Sequence, residues 1–371
     1  MTNQPDFILK DKGVGNMPSG VKSKGPGAVN LSEARGFLMG LGILWVAFFH
    51  YNMVFSSANP VVAIWNQFVT YGFFGVDIFL FLSGYGLCFS FQKNQDLGQY
   101  LSRRAKRILP TYLVWVVILC LELRLRHGIV TTLPQLVGNL TCTSLLFQLP
   151  NRTNWYLQAI WLFYLLFPFL YAYLVRRENR IRYVVFLCAL SLMVLAAAQG
   201  SPAEHYYVIC RIPSFVFGVY FGIRTIRKEA LSFRWELASY ALFIATFAVY
   251  TYLIRTQFAW MNETGMRWTV MIPMLPGLLA AGCRLRQLLN RFLPGKKLIQ
   301  LTEWLGTCSM EYLMIHLMIR YDVNKLSPVD MKHLRLYQRL LLLLAAAVLS
   351  GLFHKAMSFL TSLSERRKNK N

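Results

Sequence analysis

The chain has 371 residues, of which 56% are hydrophobic and 15% carry a charge, whereas a typical soluble domain has about 25% charged residues. With a mean hydropathy of +0.41, this composition excludes an ordinary soluble globular protein, although the length alone would allow two or three soluble domains. The formal net charge is +23, but its distribution along the chain argues against a nucleic-acid partner.

The polar ends of the chain flank a long apolar region. Residues 1–34 are rich in Gly, Pro and Lys, which predicts a disordered cytoplasmic N-terminal tail. The first apolar run is too long for a signal peptide and lacks a small-residue cleavage site. Residues 363–371 predict a basic cytoplasmic C-terminal tail, so the membrane domain is expected to span 35–362.

Apolar runs long enough to cross a hydrocarbon core of about 30 Å recur throughout this region. In lipid the backbone must satisfy its hydrogen bonds within its own segment, which predicts helices. Alternation with a period of two is absent, which argues against membrane-spanning strands. We predict an all-α polytopic membrane protein with about ten transmembrane helices. The predicted spans are 36–56, 67–91, 108–126, 155–175, 183–199, 205–223, 236–254, 267–283, 302–320 and 337–360.

The basic residues follow the positive-inside rule. With both termini placed in the cytoplasm, 27 Lys and Arg residues fall in cytoplasmic segments and 10 in outer segments. The charge therefore mostly reports topology in a lipid bilayer, and no nucleic acid is expected as a partner. The seven cysteines are scattered without a C-x-x-C pair or a Cys/His metal spacing, so no metal is predicted.

The first predicted span contains one histidine, His50, among aromatic and aliphatic residues. It lies about 20 Å from the cytoplasmic end of the helix, in the outer half of the membrane. Because an imidazole titrates near neutral pH, it is suited to accept a proton. We predict a general base here; an interhelical hydrogen bond to a serine or a carbonyl is the structural alternative.

The second predicted span contains Asp77, Ser83 and Gly84. Ionisable groups within hydrocarbon are costly and are functional candidates by default. Asp77 is expected either to orient an imidazole or to pair with an arginine, in a catalytic or a purely structural role. Arg35, Arg211 and the Ser83–Gly84 backbone are all candidate donors to an oxyanion.

A dense basic cluster, Arg103, Arg104, Lys106 and Arg107, precedes the third span and is predicted to lie in a cytoplasmic loop. Arginine binds phosphate with two parallel hydrogen bonds, and lysine supplies a point charge. The cluster therefore predicts a phosphate-bearing ligand. Ordinary anchoring to acidic lipid headgroups is the alternative.

Three further ionisable residues lie in the later spans. Arg211, near the outer third of the sixth span, is expected to have an acidic partner or a water-filled cavity. Glu311 and His316 are five residues apart in the ninth span, about 140° around the helix, so they cannot both face one point closely. One is expected to face the site and the other a neighbouring helix or the outer surface.

Six segments carry motifs in a fixed order. They are GLGILWVAFFHYN, FFGVDIFLFLSGYGL, YLSRRAKRILPTYL, NWYLQAIWLFYLLFP, RIPSFVFGVYFGI and LTEWLGTCSMEYLMIH. Together they resemble the integral-membrane acyltransferase family 3, whose members O-acetylate cell-surface carbohydrates and related molecules. The resemblance covers residues 35 to about 320. The second and third segments are the most specific, since they resemble the patterns G-V-D-x-F-F-x-L-S-G-[FY] and R-R-x-x-R-[IL]-x-P.

The resemblance implies a multi-pass protein of a bacterial inner membrane or plasma membrane. It implies acyl-CoA as the donor, normally acetyl-CoA, and a carbohydrate or lipid-linked sugar as the acceptor. The expected catalytic residues are His50 as the base and Asp77 or Glu311 as the group that orients it. The residues expected to bind the donor are Arg103, Arg104, Arg107 and Arg35, and those expected to bind the acceptor are Arg211, Ser83, Trp155 and His316.

One position departs from the family pattern. The family usually has Arg or Lys eleven residues before the histidine, where this chain has Met39. Arg35 lies one helical turn earlier on nearly the same helix face, so it is either a substitute or an anchoring residue.

Two other function classes stay open at this stage. A transporter or flippase of a lipid-linked sugar or small solute would move substrate without acyl transfer. The repeated or Gly/Pro-broken helices typical of such proteins are not found in the sequence. A membrane sensor that keeps the fold without the activity is the third class, and Met39 is the feature that favours it.

Overall fold

The computed structural model describes residues 30–150, 155–198, 203–229, 233–256, 269, 272–326 and 330–368. Over these residues the chain is all-α, as predicted, with short 3₁₀ turns and no strand. Most of the predicted N-terminal tail, residues 1–29, lies outside the described residues. The first helix begins at Leu31, where the Asn30 side chain accepts a hydrogen bond from the Glu33 backbone N–H at 3.2 Å, a standard helix N-cap.

The helices of the described residues are numbered here in chain order. They are α1 (Leu31–His50), α2 (Pro60–Thr70), α3 (Gly75–Lys93), α4 (Leu97–His127), α5 (Leu133–Leu140), α6 (Trp155–Val175), α7 (Arg180–Ala197), α8 (Ala203–Ile209), α9 (Ile212–Ile226), α10 (Phe233–Arg255), α11 (Leu275–Leu289), α12 (Leu293–Thr307), α13 (Ser309–Leu326) and α14 (Leu336–Lys368).

Eight helical segments in the described part of the chain are long and apolar enough to cross a membrane, against about ten predicted spans. They are Leu31–His50, Gly72–Lys93, Leu97–His127, Trp155–Val175, Arg180–Ala197, His205–Ile226, Phe233–Arg255 and Leu336–Leu363. The polytopic membrane fold is therefore confirmed. The predicted span 267–283 lies partly outside the described residues. The predicted span 302–320 is divided between α12 and α13, which meet at Cys308.

The basic cluster lies within a helix, contrary to the prediction of a loop. α4 begins at Leu97 because the Asp96 side chain caps it, accepting a hydrogen bond from the Gln99 backbone N–H at 2.6 Å. The helix continues through Pro110, which has no N–H for the usual bond to the carbonyl four residues earlier. Arg104 and Arg107 therefore have fixed directions, three residues apart on one helix face.

Glycines let the central helices approach at backbone distance. A Cβ atom on Gly84 of α3 would lie 2.6 Å from the Phe215 carbonyl oxygen of α9, and one on Gly222 of α9 would lie 2.9 Å from the Tyr85 carbonyl oxygen. Gly40 of α1 is in similarly close contact with the Thr302 backbone of α12. Small residues at such crossings are typical of helix packing in membranes. They fix α1, α3, α9 and α12 around the interior of the domain, where the candidate site lies.

Candidate active site

Two histidines far apart in the sequence meet at the ends of α1 and α13. His50 Nδ1 lies 2.9 Å from His316 Nε2, and the rings are stacked with centroids 5.1 Å apart and planes inclined by 26°. His316 is fully buried, whereas His50 is partly exposed. The structure thus brings together the residue predicted to be the base and a residue predicted to bind the acceptor.

The hydrogen bonds of this pair determine where the protons lie. His316 Nδ1 is 2.6 Å from the Tyr312 carbonyl oxygen, which only accepts hydrogen bonds, so Nδ1 carries the proton. The Nε2 atom of a neutral His316 is then an acceptor, and His50 Nδ1 donates to it. This assignment from the hydrogen-bond network leaves the Nε2 lone pair of His50 free to accept a proton.

No carboxylate in the described part of the chain contacts His50, so His316 takes the place predicted for Asp77 or Glu311. Glu311 is buried and its Oε1 lies 2.9 Å from Nδ1 of His354 on α14. Glu311 and His316 therefore face different helices, as their spacing predicted.

Asp77 and Arg211 form a separate buried pair. Asp77 Oδ2 lies 3.7 Å from Arg211 Nε, and Asp77 Oδ1 accepts a hydrogen bond from the Ser214 hydroxyl at 2.6 Å. The Arg211 guanidinium lies 5.0 Å from the centroid of the Trp155 ring, a cation–π distance. This is the arginine pairing that the sequence offered as one option for Asp77. The Phe73 carbonyl accepts a hydrogen bond from Arg211 Nη2 at 3.5 Å. The Phe73 ring packs against Phe49, whose own ring lies beside that of His50.

A cavity of about 790 Å³ extends inward from the basic segment of α4. It lies between α1, α3, α4, α6, α13 and α14. The predicted site residues that line it are Arg35, Ser83, Arg104, Arg107 and Glu311, whereas Arg103 is outside the lining and donates to the Asn94 carbonyl at 3.2 Å. The positive-inside rule predicts that the basic end of this cavity faces the cytoplasm.

Arg35 lies within this cavity, as does Met39 one turn later. Its guanidinium packs over Gly86: a Cβ atom there would lie 3.3 Å from Arg35 Nε. Arg35 Nε is buried without a hydrogen-bond partner in the described residues, and so is Arg104 Nε. Two guanidinium groups with unused donors at the cavity wall are suited to hold an anionic ligand.

Ser83 is among the residues that line the cavity. It lies in the middle of α3 together with Gly84, where backbone N–H groups bond the carbonyls four residues earlier. The proposal that the Ser83–Gly84 backbone donates to an oxyanion is therefore wrong for this helix.

The cavity ends before it reaches the histidine pair. His50 and His316 are not among the residues that line it, whereas Val46 and Leu313 are. They precede His50 and His316 by four and three residues, about one helical turn. Side chains at these spacings lie on the same helix face, and we infer that Val46 and Leu313 form a layer between the cavity and the two imidazoles.

A third titratable cluster lies toward the ends of α4 and α13. His127 Nε2 is 2.9 Å from both Glu122 Oε1 and Asp322 Oδ1, and Arg126 pairs with Asp322 at 3.2 Å. Among the described residues this is the His/carboxylate group with ligand atoms close enough to hold a metal ion, within 4.8 Å of one another. Arg126 supplies a counter-charge to this cluster.

The helices and these residues define a multi-pass membrane protein with an arginine-lined cavity and, outside its lining, a hydrogen-bonded histidine pair. The family model for acyltransferase family 3, described as an acyltransferase domain, matches residues 37–355. Because the match covers most of the chain, the protein belongs to this family and is a membrane acyltransferase. Comparisons with curated proteins and with solved structures found no match.

Proposed function

We propose that the protein is an O-acyltransferase that moves an acyl group, normally acetyl, from cytosolic acyl-CoA to a hydroxyl of a cell-surface carbohydrate or its lipid-linked precursor. The observation that carries the proposal is the free Nε2 of His50, whose other nitrogen is held by His316. A plasma membrane, such as a bacterial inner membrane, is the site where a cytosolic donor and a surface acceptor can meet.

His50 acts as the general base in this mechanism. Its Nε2 takes the proton of the acceptor hydroxyl while the hydroxyl oxygen attacks the thioester carbonyl carbon. The carbon–sulfur bond then breaks, the ester forms, and His50 returns the proton to the departing thiolate. His316 keeps His50 in the productive tautomer, and its Nε2 accepts a hydrogen bond from Nδ1–H of the transient His50 imidazolium. Positioned acid–base catalysis of this kind contributes about 10²–10⁴-fold in rate.

The arginines of the cavity support acyl-CoA as the donor. Arg35, Arg104 and Arg107 line one cavity and match the phosphates of a CoA ester in charge and geometry. From Arg35 to Val46 the cavity follows α1 for about 16 Å at 1.5 Å per residue. Its inner part is lined by apolar side chains, including Ile43, Val46 and Phe79, which suit an uncharged thioester arm better than a free acid.

The layer at Val46 and Leu313 must open for the thioester to reach His50. While it is closed, the acyl carbonyl stays apart from the base and from water near the histidine pair. The proposed reaction therefore includes a movement of these two side chains after the donor binds. Such gating is a common way for an enzyme to protect a reactive substrate from hydrolysis.

The direct test compares His50→Ala with the unchanged protein in membrane vesicles, at matched protein levels, with acetyl-CoA labelled in the acetyl group. We expect label in the carbohydrate fraction to fall by about 10²–10⁴-fold. His333→Ala, at an exposed histidine outside the pair, is the control and should transfer normally. Undiminished transfer by His50→Ala would remove His50 from the mechanism, and movement of unlabelled sugar without transfer would favour a transporter.

A further inference from the structure

Two arginines lie beyond the histidine pair, on the side away from the cavity. Arg320 belongs to α13 and follows His316 by one turn, about 6 Å along the axis. Arg339 lies in the first turns of α14 and donates through Nη1 to the Asn52 carbonyl oxygen. Asn52 is two residues beyond His50 and has a left-handed backbone, φ 50°, which turns the chain back toward α14.

Neither arginine has an acidic partner in the part of the chain that the structure describes. Arg320 Nε and Arg339 Nε are both buried without a hydrogen bond, and Arg339 is only 8% exposed. Asp322, the closest carboxylate in sequence to Arg320, is already bonded to Arg126 and His127. A buried guanidinium without a counter-charge is costly, and in membrane proteins such groups usually mark a ligand or ion path.

Arg320 lies on the same helix as His316, four residues further on. Helical side chains lean toward the N-terminus of their helix, which directs Arg320 back toward His316. His50, Asn52 and Arg320 are all partly exposed, so this end of the site is open to a ligand.

The two cations have a consequence for the base. When His50 takes a proton it becomes positive in a region that already holds two cations: Arg320, one turn beyond its partner His316, and Arg339, which is bonded to the Asn52 carbonyl. Like charges in a low dielectric repel. A bound anion would remove that repulsion. A donor phosphate is too far away to do so, because the donor arginines lie at the opposite end of the cavity, beyond the layer at Val46 and Leu313.

We propose that Arg320 and Arg339 form an oxyanion-binding subsite that holds an acidic group of the acceptor, so that the acceptor carries a carboxylate or a phosphate near its reacting hydroxyl. The inference rests on the proposed acyl transfer and adds the chemical class of the acceptor. An acidic sugar and a phosphate-linked sugar share the required chemistry. The charge-assisted hydrogen bonds of a guanidinium suit both.

The test uses three soluble acceptors of similar size: a neutral methyl glucoside, methyl glucuronide and glucose 1-phosphate. Purified full-length protein in liposomes receives labelled acetyl-CoA and one acceptor at a time. We expect at least one anionic acceptor to be acylated about tenfold or more faster than the neutral one, as expected for a hydrogen bond to a charged group. The faster of the two anionic acceptors identifies the acidic group that the subsite prefers.

Arg320→Gln and Arg339→Gln should reduce the preference for the anionic acceptor to below about threefold. Transfer to methyl glucoside should not fall, because each substitution also removes a positive charge that opposes protonation of His50. Arg320→Lys, which keeps the charge, should retain part of the preference. Equal rates for all three acceptors in the unchanged protein would overturn the proposal. An equal loss with every acceptor in Arg320→Gln would also overturn it.

A binding measurement separates this proposal from the proposed function. Methyl glucuronide or glucose 1-phosphate should raise the thermal unfolding midpoint of the detergent-solubilised protein, since a ligand that binds the folded state stabilises it. Arg320→Gln should abolish the shift, whereas His50→Ala should keep it. A shift that Arg320→Gln leaves unchanged would contradict the subsite. Loss of acyl transfer with the shift intact would contradict only the reaction.

Discussion

The hydrogen bond between His50 and His316 gives the sharpest prediction of the mechanism. His316→Leu removes the acceptor for His50 Nδ1–H, now 2.9 Å away, and frees the ring to rotate or to change tautomer. A hydrogen bond to a charged group contributes about 1.5–3 kcal/mol, and His50 is charged only during the reaction. The substitution should therefore lower kcat by about 10- to 150-fold, at 1.36 kcal/mol for each factor of ten.

Steady-state kinetics in proteoliposomes test this value, with the donor and the acceptor varied separately. The KM for acetyl-CoA should stay within about twofold, because a bond formed mainly to the charged base affects kcat rather than ground-state binding. His316→Gln offers an amide oxygen as a replacement acceptor and should recover part of kcat, which a merely structural loss would not allow. A kcat within twofold of the unchanged value in His316→Leu, at equal membrane level, would refute the positioning role.

Three more predictions concern the rest of the site. Arg104→Ala combined with Arg107→Ala should raise the Kd for acetyl-CoA about tenfold or more at low salt, and the difference should shrink as salt rises. The matched control is Arg103→Ala, just outside the cavity, which should bind acetyl-CoA normally. If Arg103→Ala weakened acetyl-CoA binding as much as the double substitution, the cluster would serve only to anchor the helix at the membrane surface. Val46→Trp should block acyl transfer and leave donor binding measurable by isothermal titration, whereas loss of both would show that the variant misfolds. Asp77→Asn should lower the thermal unfolding midpoint without selectively changing either KM, since it removes the counter-charge of the buried Arg211.

The all-α membrane architecture could be read from the sequence because it depends on local composition. The interior of α1 and the apolar runs of α6 and α14 leave little choice in lipid. Helix boundaries were less predictable. Hydropathy marks where a helix enters the apolar layer, so it predicts a span that begins at residue 108 and a loop for the basic cluster. The helix α4 instead begins at Leu97, eleven residues before that point, because Asp96 caps it there. The division of the ninth span at Cys308 has no glycine or proline signal at that residue.

Site residues on one helix were easier to relate than site residues on different helices. The opposite directions of Glu311 and His316 followed from their spacing alone, and so did the shared face of Arg35 and Met39. The contact of His50 with His316 joins residues 266 positions apart, and one sequence carries no information about such a pair. Arg320 is not among the predicted site residues, although its position one turn after His316 places it near a candidate site residue on the same helix.

The layer at Val46 and Leu313 separates the side of the site proposed to bind the donor from the side proposed to bind the acceptor. If the cavity were continuous, water from either side would reach both the thioester and the base, and hydrolysis would compete with transfer to the acceptor hydroxyl. In the proposed mechanism, while the layer is closed, the arginines hold the donor at one end and an acceptor reaches the base only from the other. An anionic acceptor at Arg320 and Arg339 would then be the component that completes the charge balance around His50. On this view the protein discriminates against water not by affinity, but because water brings no negative charge to the histidine pair.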